Sequence, residues 1–532
     1  GSSFVAAPAP PTAADGQVVI LPGHTVTAST PITIDEVFVA AGGTLASLGG
    51  TFAVLDGPGN DMSVNGTWQL NGAEIQGPGS IIIANSGTLT WASGVLGASS
   101  ILNINAGCTV TFNGGSLTLN ALGTINNSGT WNMEGGNLGQ SSFVSGPCAF
   151  NNLPGGVVNL NGWASNTNGW HQATINQGTI TKNNGTVTFT FSNDFSGKSV
   201  TNQAGGVVNV ASGELVFACP TTNAGLMSTQ AGGVALVNTS AAGTFTNAIG
   251  GSLQGTFRQN GGNLVLEGPV SITQFLFEGG NIDGPAALTI PTGESFNWTG
   301  GAFTGTAVLN LQDGAVATIS GPGTLNALGT INNSGIWNME GGNLGQSSFA
   351  GGPCTFNNLP NGVVNLNGWE SNTNTWHQVT NNQGLINKNN GDVPFSFSND
   401  FSGKAFNNLS GGTLNVASGE CVFRLPTTSN GSITGGPGSQ VTLDGNSSGG
   451  FFTNADGGTI TTAFHVVSGH VNVEAALTLS DFTMFASGVL NGPQALTIDT
   501  DGTANLNGGT STSVSTLNIA AGATAIHNSG GT

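Results

Sequence analysis

Ala121-Leu-Gly-Thr-Ile-Asn-Asn-Ser-Gly-Thr-Trp-Asn-Met-Glu-Gly-Gly-Asn-Leu-Gly-Gln140 returns almost unchanged as Ala327 to Gln346, an offset of 206 residues. The offset persists through Cys148 and Cys354, Trp170 and Trp376, Lys198 and Lys404, and Glu214 and Glu420, so a large block is duplicated with few changes. A weaker match upstream sets Gly77-Pro78 and Trp91 against Gly284-Pro285 and Trp298, and a third partial copy starts around Gly492-Pro493.

Inside the block runs a shorter period. Ile125-Asn126-Asn127, Phe150-Asn151-Asn152, Ile175-Asn176-Gln177 and Val200-Thr201-Asn202 recur every 25 residues, and the second copy keeps the spacing at Ile331, Phe356, Asn381 and Phe406. An apolar residue followed by Asn-Asn, with Gly a few residues on, marks a core-facing strand that runs into a turn. An amide both donates and accepts, so Asn residues stacked at the ~4.8 Å strand spacing bond into a ladder. The expected ladder residues are Asn126, Asn151 and Asn176, repeated as Asn332, Asn357 and Asn382.

Segments such as Thr186–Phe191, Val157–Asn161 and Leu117–Asn120 alternate apolar with polar residues, as half-buried strands do. Gly-Gly, Asn-Gly and Ser-Gly breakers separate them, and no helical period is found. The chain therefore reads as all-β, a right-handed parallel β-helix (β-solenoid) with coils of about 25 residues, some 21 in all. Its expected organisation is a Pro/Ala-rich arm or linker at 1–16, leading coils at 17–66, one large repeat at 67–273, a second at 274–481 and a partial third at 482–532. Ile526-His527-Asn528-Ser529-Gly530 reproduces Ile125 to Gly129, so either the natural polypeptide continues or another subunit covers the final coil. The first residues contain neither Met nor a basic segment, the pattern of a processed N-terminus.

Composition supports this reading. Gly is 88 of 532 residues, about 17% against a typical ~7%, and charged residues are 6% against a typical ~25%. Lys and Arg together number 6 against 25 acids, a net charge of −19, too few cations to neutralise nucleic acid or an anionic membrane. No stretch approaches the ~20 apolar residues of a spanning helix, so membrane insertion is not expected. The five cysteines, Cys108, Cys148, Cys219, Cys354 and Cys421, show no CxxC spacing and read as small buried hydrophobes.

Gly23-His24-Thr25-Val26 through Ile34, then Val37–Leu45 and Val64-Asn65-Gly66-Thr67, resembles the start of right-handed parallel β-helices of secreted bacterial surface proteins. The Asn-Asn-Ser-Gly-Thr-Trp coils resemble those of haemagglutinin-like and autotransporter-like adhesins and fibre-forming β-solenoids. The resemblance implies a secreted protein of the bacterial cell surface or matrix. The residues and the resemblance together lead to an expected extracellular structural role as a fibre, filament or adhesin stalk, with end-to-end or lateral self-association and no cofactor.

The alternative is a carbohydrate-binding or carbohydrate-active β-helix. Lyases and hydrolases need clustered carboxylates near a cation. Asp194 before Lys198 recurs as Asp400 before Lys404, which reads more simply as a copied structural ion pair. Asp499 with Asp501, and Asp35 with Glu36, are the closest acid pairs, and the six scattered His suggest no metal site. No enzymatic activity is expected. One exposed-looking loop, Asn161 to Gln172, repeats as Asn367 to Gln378 and offers Trp163, Trp170, His171, Trp369, Trp376 and His377 as glycan contacts. The competing reading folds the indoles back against the solenoid.

Overall fold

The computed structural model describes residues 12, 14, 16–57, 60–139, 148–162, 168–183, 185–192, 197–239, 243–321, 324–345, 354–368, 374–389, 391–398, 403–445, 450–511 and 515–528. Among the described residues there is no helix, and hence none long and apolar enough to cross a membrane. Parallel strands stack in about 22 turns, a β-solenoid. The chain forms two compact units, Gly1–Gly268 and Pro269–Thr532.

The first unit shows how the coils are built. Thr124–Asn127 pairs in parallel with Ala149–Asn152, which pairs with Ala173–Asn176, then Val200–Asn202, Thr221–Asn223 and Thr244–Asn247. This row is face A. Face B stacks Thr130–Gly139, Val157–Leu160, Thr179–Lys182, Val207–Val210 and Leu226–Thr229. Face C stacks Asn168–His171, Phe189–Phe191, Gly213–Phe217 and Gly233–Asn238. Each coil runs through all three faces, in one case with a single strand for two of them, since Thr130–Gly139 pairs with both Val157–Leu160 and Asn168–His171. Alternate residues point inward because side chains switch sides at every step.

The second unit repeats the scheme, with Val308–Leu311, Thr330–Asn333, Thr355–Asn358, Val379–Asn382, Ala405–Asn408, Thr427–Ser429 and Phe451–Asn454 on its face A. Aromatic side chains fill the interior in edge-on and stacked contacts. Trp131 meets Phe150 at 5.3 Å and Phe150 meets Trp170 at 4.8 Å between ring centroids, and the second unit has Trp337–Phe356 at 5.2 Å and Phe356–Trp376 at 4.8 Å. Such pairs add about 0.5–1.5 kcal/mol beyond the area they bury. All five cysteines are buried, and none of them forms a disulfide.

The 25-residue coil describes only part of the stack. Ile125 pairs with Phe150, but Phe150 pairs with Thr174 and not with Ile175, and Val18 pairs with Val37 only 19 residues on. Ile175 therefore points out and is 41% exposed, while Thr174 enters the core. In the second unit Thr380 likewise replaces the expected Asn381 opposite Phe356.

Much of the variation comes from the corner between faces A and B, which alternates between two lengths. Asn127-Ser128-Gly129, Asn176-Gln177-Gly178 and Asn223-Ala224-Gly225 are short corners; Asn152 to Gly156, Asn202 to Gly206 and Asn247 to Gly251 are long ones. Close stacking fixes the glycine that ends each corner. A Cβ on Gly178 would lie 2.2 Å from the Gly156 carbonyl oxygen, and one on Gly156 would lie 2.3 Å from that of Asn127.

Candidate functional site

The most regular polar feature is the column of asparagines at these corners. Asn127, Asn152, Asn176, Asn202, Asn223 and Asn247 occupy inward positions on face A and are fully buried. Asn127 Nδ2 donates to Asn152 Oδ1 at 2.8 Å, Asn152 to Asn176 at 2.7 Å, Asn176 to Asn202 at 2.7 Å, Asn202 to Asn223 at 2.8 Å and Asn223 to Asn247 at 2.8 Å. Each amide also reaches the carbonyl that opens the next coil's face B strand: Val157, Thr179, Val207, Leu226 and Ser252 accept at 3.1–3.3 Å. One side chain thus locks two coils and a corner together.

A second ladder lies outside, on the same face. Asn126 donates to Asn103 and Asn151 to Asn126, each at 2.8 Å, and in the second unit the outer chain runs Asn407, Asn381, Asn357, Asn332, Asn310 at 2.8–2.9 Å. The expected single ladder is corrected accordingly. Asn126, Asn151, Asn332 and Asn357 belong to the outer ladder, whereas Asn176 and Asn382 belong to the buried one. The reason is strand parity, since adjacent residues in a strand face opposite sides.

In the second unit the buried ladder runs Asn333, Asn358, Asn382, Asn408 at 2.8 Å a step and then meets Ser429, whose Oγ accepts from Asn408 at 3.3 Å. Ser429 donates to the Gly431 carbonyl, and the buried Oδ1 of Asn454 above it has no hydrogen-bond partner. The first unit has Asn223 at the equivalent place, donating onward to Asn247.

The proposed glycan contacts are placed differently from the sequence expectation. Trp170 and Trp376 are each 1% exposed, and their Nε1 atoms donate to Thr174 and Thr380 Oγ1 at 2.8 and 2.9 Å. His171 and His377 are also buried, and Gln172 and Gln378 donate to the Ala121 and Ala327 carbonyls at 2.9 Å. Rings packed in the core cannot stack on a sugar, so these four residues are withdrawn as glycan contacts. Trp163 and Trp369 lie outside the described residues, as do Asp194 and Asp400.

Four lysines are buried, Lys182, Lys198, Lys388 and Lys404, and two of them are fully enclosed. Lys182 Nζ donates to the carbonyls of Gly185 at 3.2 Å and Ser212 at 2.5 Å; Lys388 donates to those of Gly391 at 2.7 Å and Ser418 at 2.6 Å. Both side chains are 0% exposed. Burial pushes Lys182 down from 10.5 to about 8, against the opposing pull of the Glu214 carboxylate. It lowers Lys388 too, against Cys421, Asp392 and Glu420. Burial also raises the Cys219 and Cys421 thiols from 9.0 to about 11 and about 12. The signal for these lysines was present in Thr179-Ile180-Thr181-Lys182, where Lys182 shares the inward parity of Ile180.

These features define a charge-poor parallel β-solenoid with amide-laced corners. No protein-family model matches the chain, and neither does any curated protein.

Three predictions follow from this interior. Asn152→Ala leaves the Asn127 amide and the Asn176 oxygen without their ladder partner and is expected to cost about 2–3 kcal/mol in denaturant unfolding, whereas outward Asn151→Ala costs below ~1 kcal/mol. Equal losses at the two sites would contradict the division into buried and outer ladders. Ser429→Asn gives the Asn454 oxygen a donor and is expected to stabilise by about 1 kcal/mol; a lower melting temperature would count against the ladder geometry.

Between about pH 8 and 9 the unfolded chain holds a proton that Lys182 has released in the folded chain, so stability rises with pH, and the lowered Lys388 acts in the same direction. Above about pH 9 unfolded thiols ionise while Cys219 and Cys421 stay protonated, and that gain is opposed. Melting temperature is thus expected to climb over the lower window in the native chain and to stay flat in the Lys182→Met, Lys388→Met double variant. Identical profiles would show that the lysines are not held towards neutrality.

Proposed function

We propose that the protein is an extracellular structural protein, a β-solenoid building block of a bacterial surface fibre, filament or adhesin stalk that associates with further copies of itself. The observation that supports this is the double cross-linking of successive coils, by parallel backbone ladders and by the buried amide column from Asn127 to Asn247. Interactions repeated at every coil spread an applied load over many equivalent bonds, which suits a mechanical role. The scarcity of charge, 6% of residues, agrees with it, because like charges stacked at ~4.8 Å repel. The glycan-binding alternative loses part of its support with the burial of Trp170 and Trp376.

Electron microscopy and surface labelling of native material test the reading. Fibres or surface projections that contain the chain are expected. A protein that light scattering shows to stay monomeric at high concentration, and that labelling finds away from the surface, would overturn it.

A further inference from the structure

Face B continues back from Thr130–Gly139 through Thr109–Ala121, Thr88–Leu96, Thr67–Gln76 and Thr44–Ser47 to Thr25–Ala28. In these six coils the first outward position is always threonine: Thr25, Thr44, Thr67, Thr88, Thr109 and Thr130 are direct register partners, each over the next. The second outward position, two residues on, carries Thr27, Thr90 and Thr111, with Ala46, Gln69 and Asn132 in the other coils. Between the two columns the inward residues Leu45, Trp68, Leu89, Val110 and Trp131 are 0–2% exposed, so the array stands on a packed core. Thr67, Thr88, Thr109 and Thr130 follow one another every 21 residues, and this equal coil length keeps the strands in phase. The column ends at Val157, 27 residues beyond Thr130.

The surface is uncharged, and neither column contains an aromatic residue. Each threonine holds a hydroxyl and a methyl on a β-branched carbon whose χ1 is stiff, so the array is ordered before anything binds to it. Thr88 Oγ1 donates to Thr67 Oγ1 at 3.3 Å, which lines up the hydroxyls of consecutive coils. Thr88 and Thr90 are exposed, and Thr67, Thr109, Thr111 and Thr130 are half-buried. The array repeats every ~4.8 Å from coil to coil and every ~6.7 Å across the two columns, which is two residues along a strand. Ice joins each oxygen tetrahedrally to four others through hydrogen bonds of ~2.75 Å, which sets next-nearest oxygens ~4.5 Å apart and gives an axial repeat of ~7.3 Å. Along the column the misfit is ~0.3 Å a step, so from Thr25 to Thr130 array and lattice drift apart by ~1.5 Å, a third of one oxygen spacing.

We propose that this threonine face binds ice, its ligand being the two-dimensional water lattice of a crystal surface rather than a dissolved molecule. The hydroxyls donate to and accept from lattice water, and the methyls fill the hollows between oxygen rows. A single hydroxyl gains little by exchanging liquid water for lattice water, so retention depends on many hydroxyls held in register, which the unbroken column supplies. Charged groups would orient water around themselves and disrupt the lattice, and neither column has one. A crystalline polysaccharide is the poorer occupant, because sugar rings are gripped by aromatic faces and the two columns present none. The inference does not rest on the structural role and stands or falls apart from it.

Thermal hysteresis, inhibition of ice recrystallisation and adsorption of the fluorescently labelled full chain to a single ice crystal provide the test. The native chain is expected to hold back growth of a seed crystal, to facet it and to coat it. Thr88→Tyr combined with Thr109→Tyr places rings that lift the lattice off the neighbouring hydroxyls, and is expected to cut the hysteresis fivefold or more. Thr478→Tyr, at an exposed position outside the two columns, is expected to leave it unchanged. Thr88 is exposed, so Thr88→Tyr alone should melt like the native chain, and the activity it loses is lost from the surface rather than from the fold. The proposal is overturned if the native chain neither slows nor coats ice, or if the tyrosine variants keep full activity. It is equally overturned if the face proves to be covered otherwise, seen as a Thr88-dependent dimer or as Thr88-dependent retention on crystalline cellulose or chitin in a chain without ice activity.

Discussion

The constraint on which the rest of the structure depends is that every inward side chain in a parallel solenoid lies over the inward side chain of the next coil, about 4.8 Å away. Whatever occupies a position must tolerate a similar neighbour above and below. Aromatic rings meet it edge to face, as Trp170 over Phe191 does, or stacked, as Phe191 over Phe217 does. Amides meet it because one donates to the next. Ammonium groups meet it only by leaving the column, and Lys182 and Lys388 send Nζ to turn carbonyls rather than to a stacked partner. The low charge of the whole chain follows from the same rule.

Coil length is where the stack has freedom. A corner of three residues or of five lets one coil sit on another without disturbing the faces, because the glycine that closes the corner passes directly under a carbonyl. The coils are as short as 19 residues between Val18 and Val37, where all three faces still pair, and 18 between Phe464 and Phe482.

Alternation of apolar and polar residues and the Asn-Asn repeat were enough to read the solenoid, since both depend on local parity. The inner ladder is legible too, because Asn127 stands two residues after Ile125 and must share its side, whereas Asn126 faces out. The register at Ile175 was not legible. Thr174 takes the inward place and accepts from Trp170 Nε1 across the bend at Gln172, a partnership that strand alternation does not show. The same holds for Thr380 and Trp376.

The two ladders also run in opposite directions. Buried amides donate toward later coils, Asn333 to Asn358 to Asn382, while outer amides donate toward earlier ones, Asn381 to Asn357 to Asn332. Aligned amide dipoles add along a column as peptide dipoles add along a helix. In the second unit, where the two opposed columns span the same coils, they offset each other. In the first unit the outer ladder stops at Asn151, since Ile175 and Thr201 follow it, and the buried column continues alone to Asn247. There the backbone supplies the caps. Gly129 N–H donates to Asn127 Oδ1 at 3.2 Å at one end, and Asn247 Nδ2 donates to the Gly251 carbonyl at 3.1 Å at the other. A buried column is thus closed by the same corner glycines that let it stack.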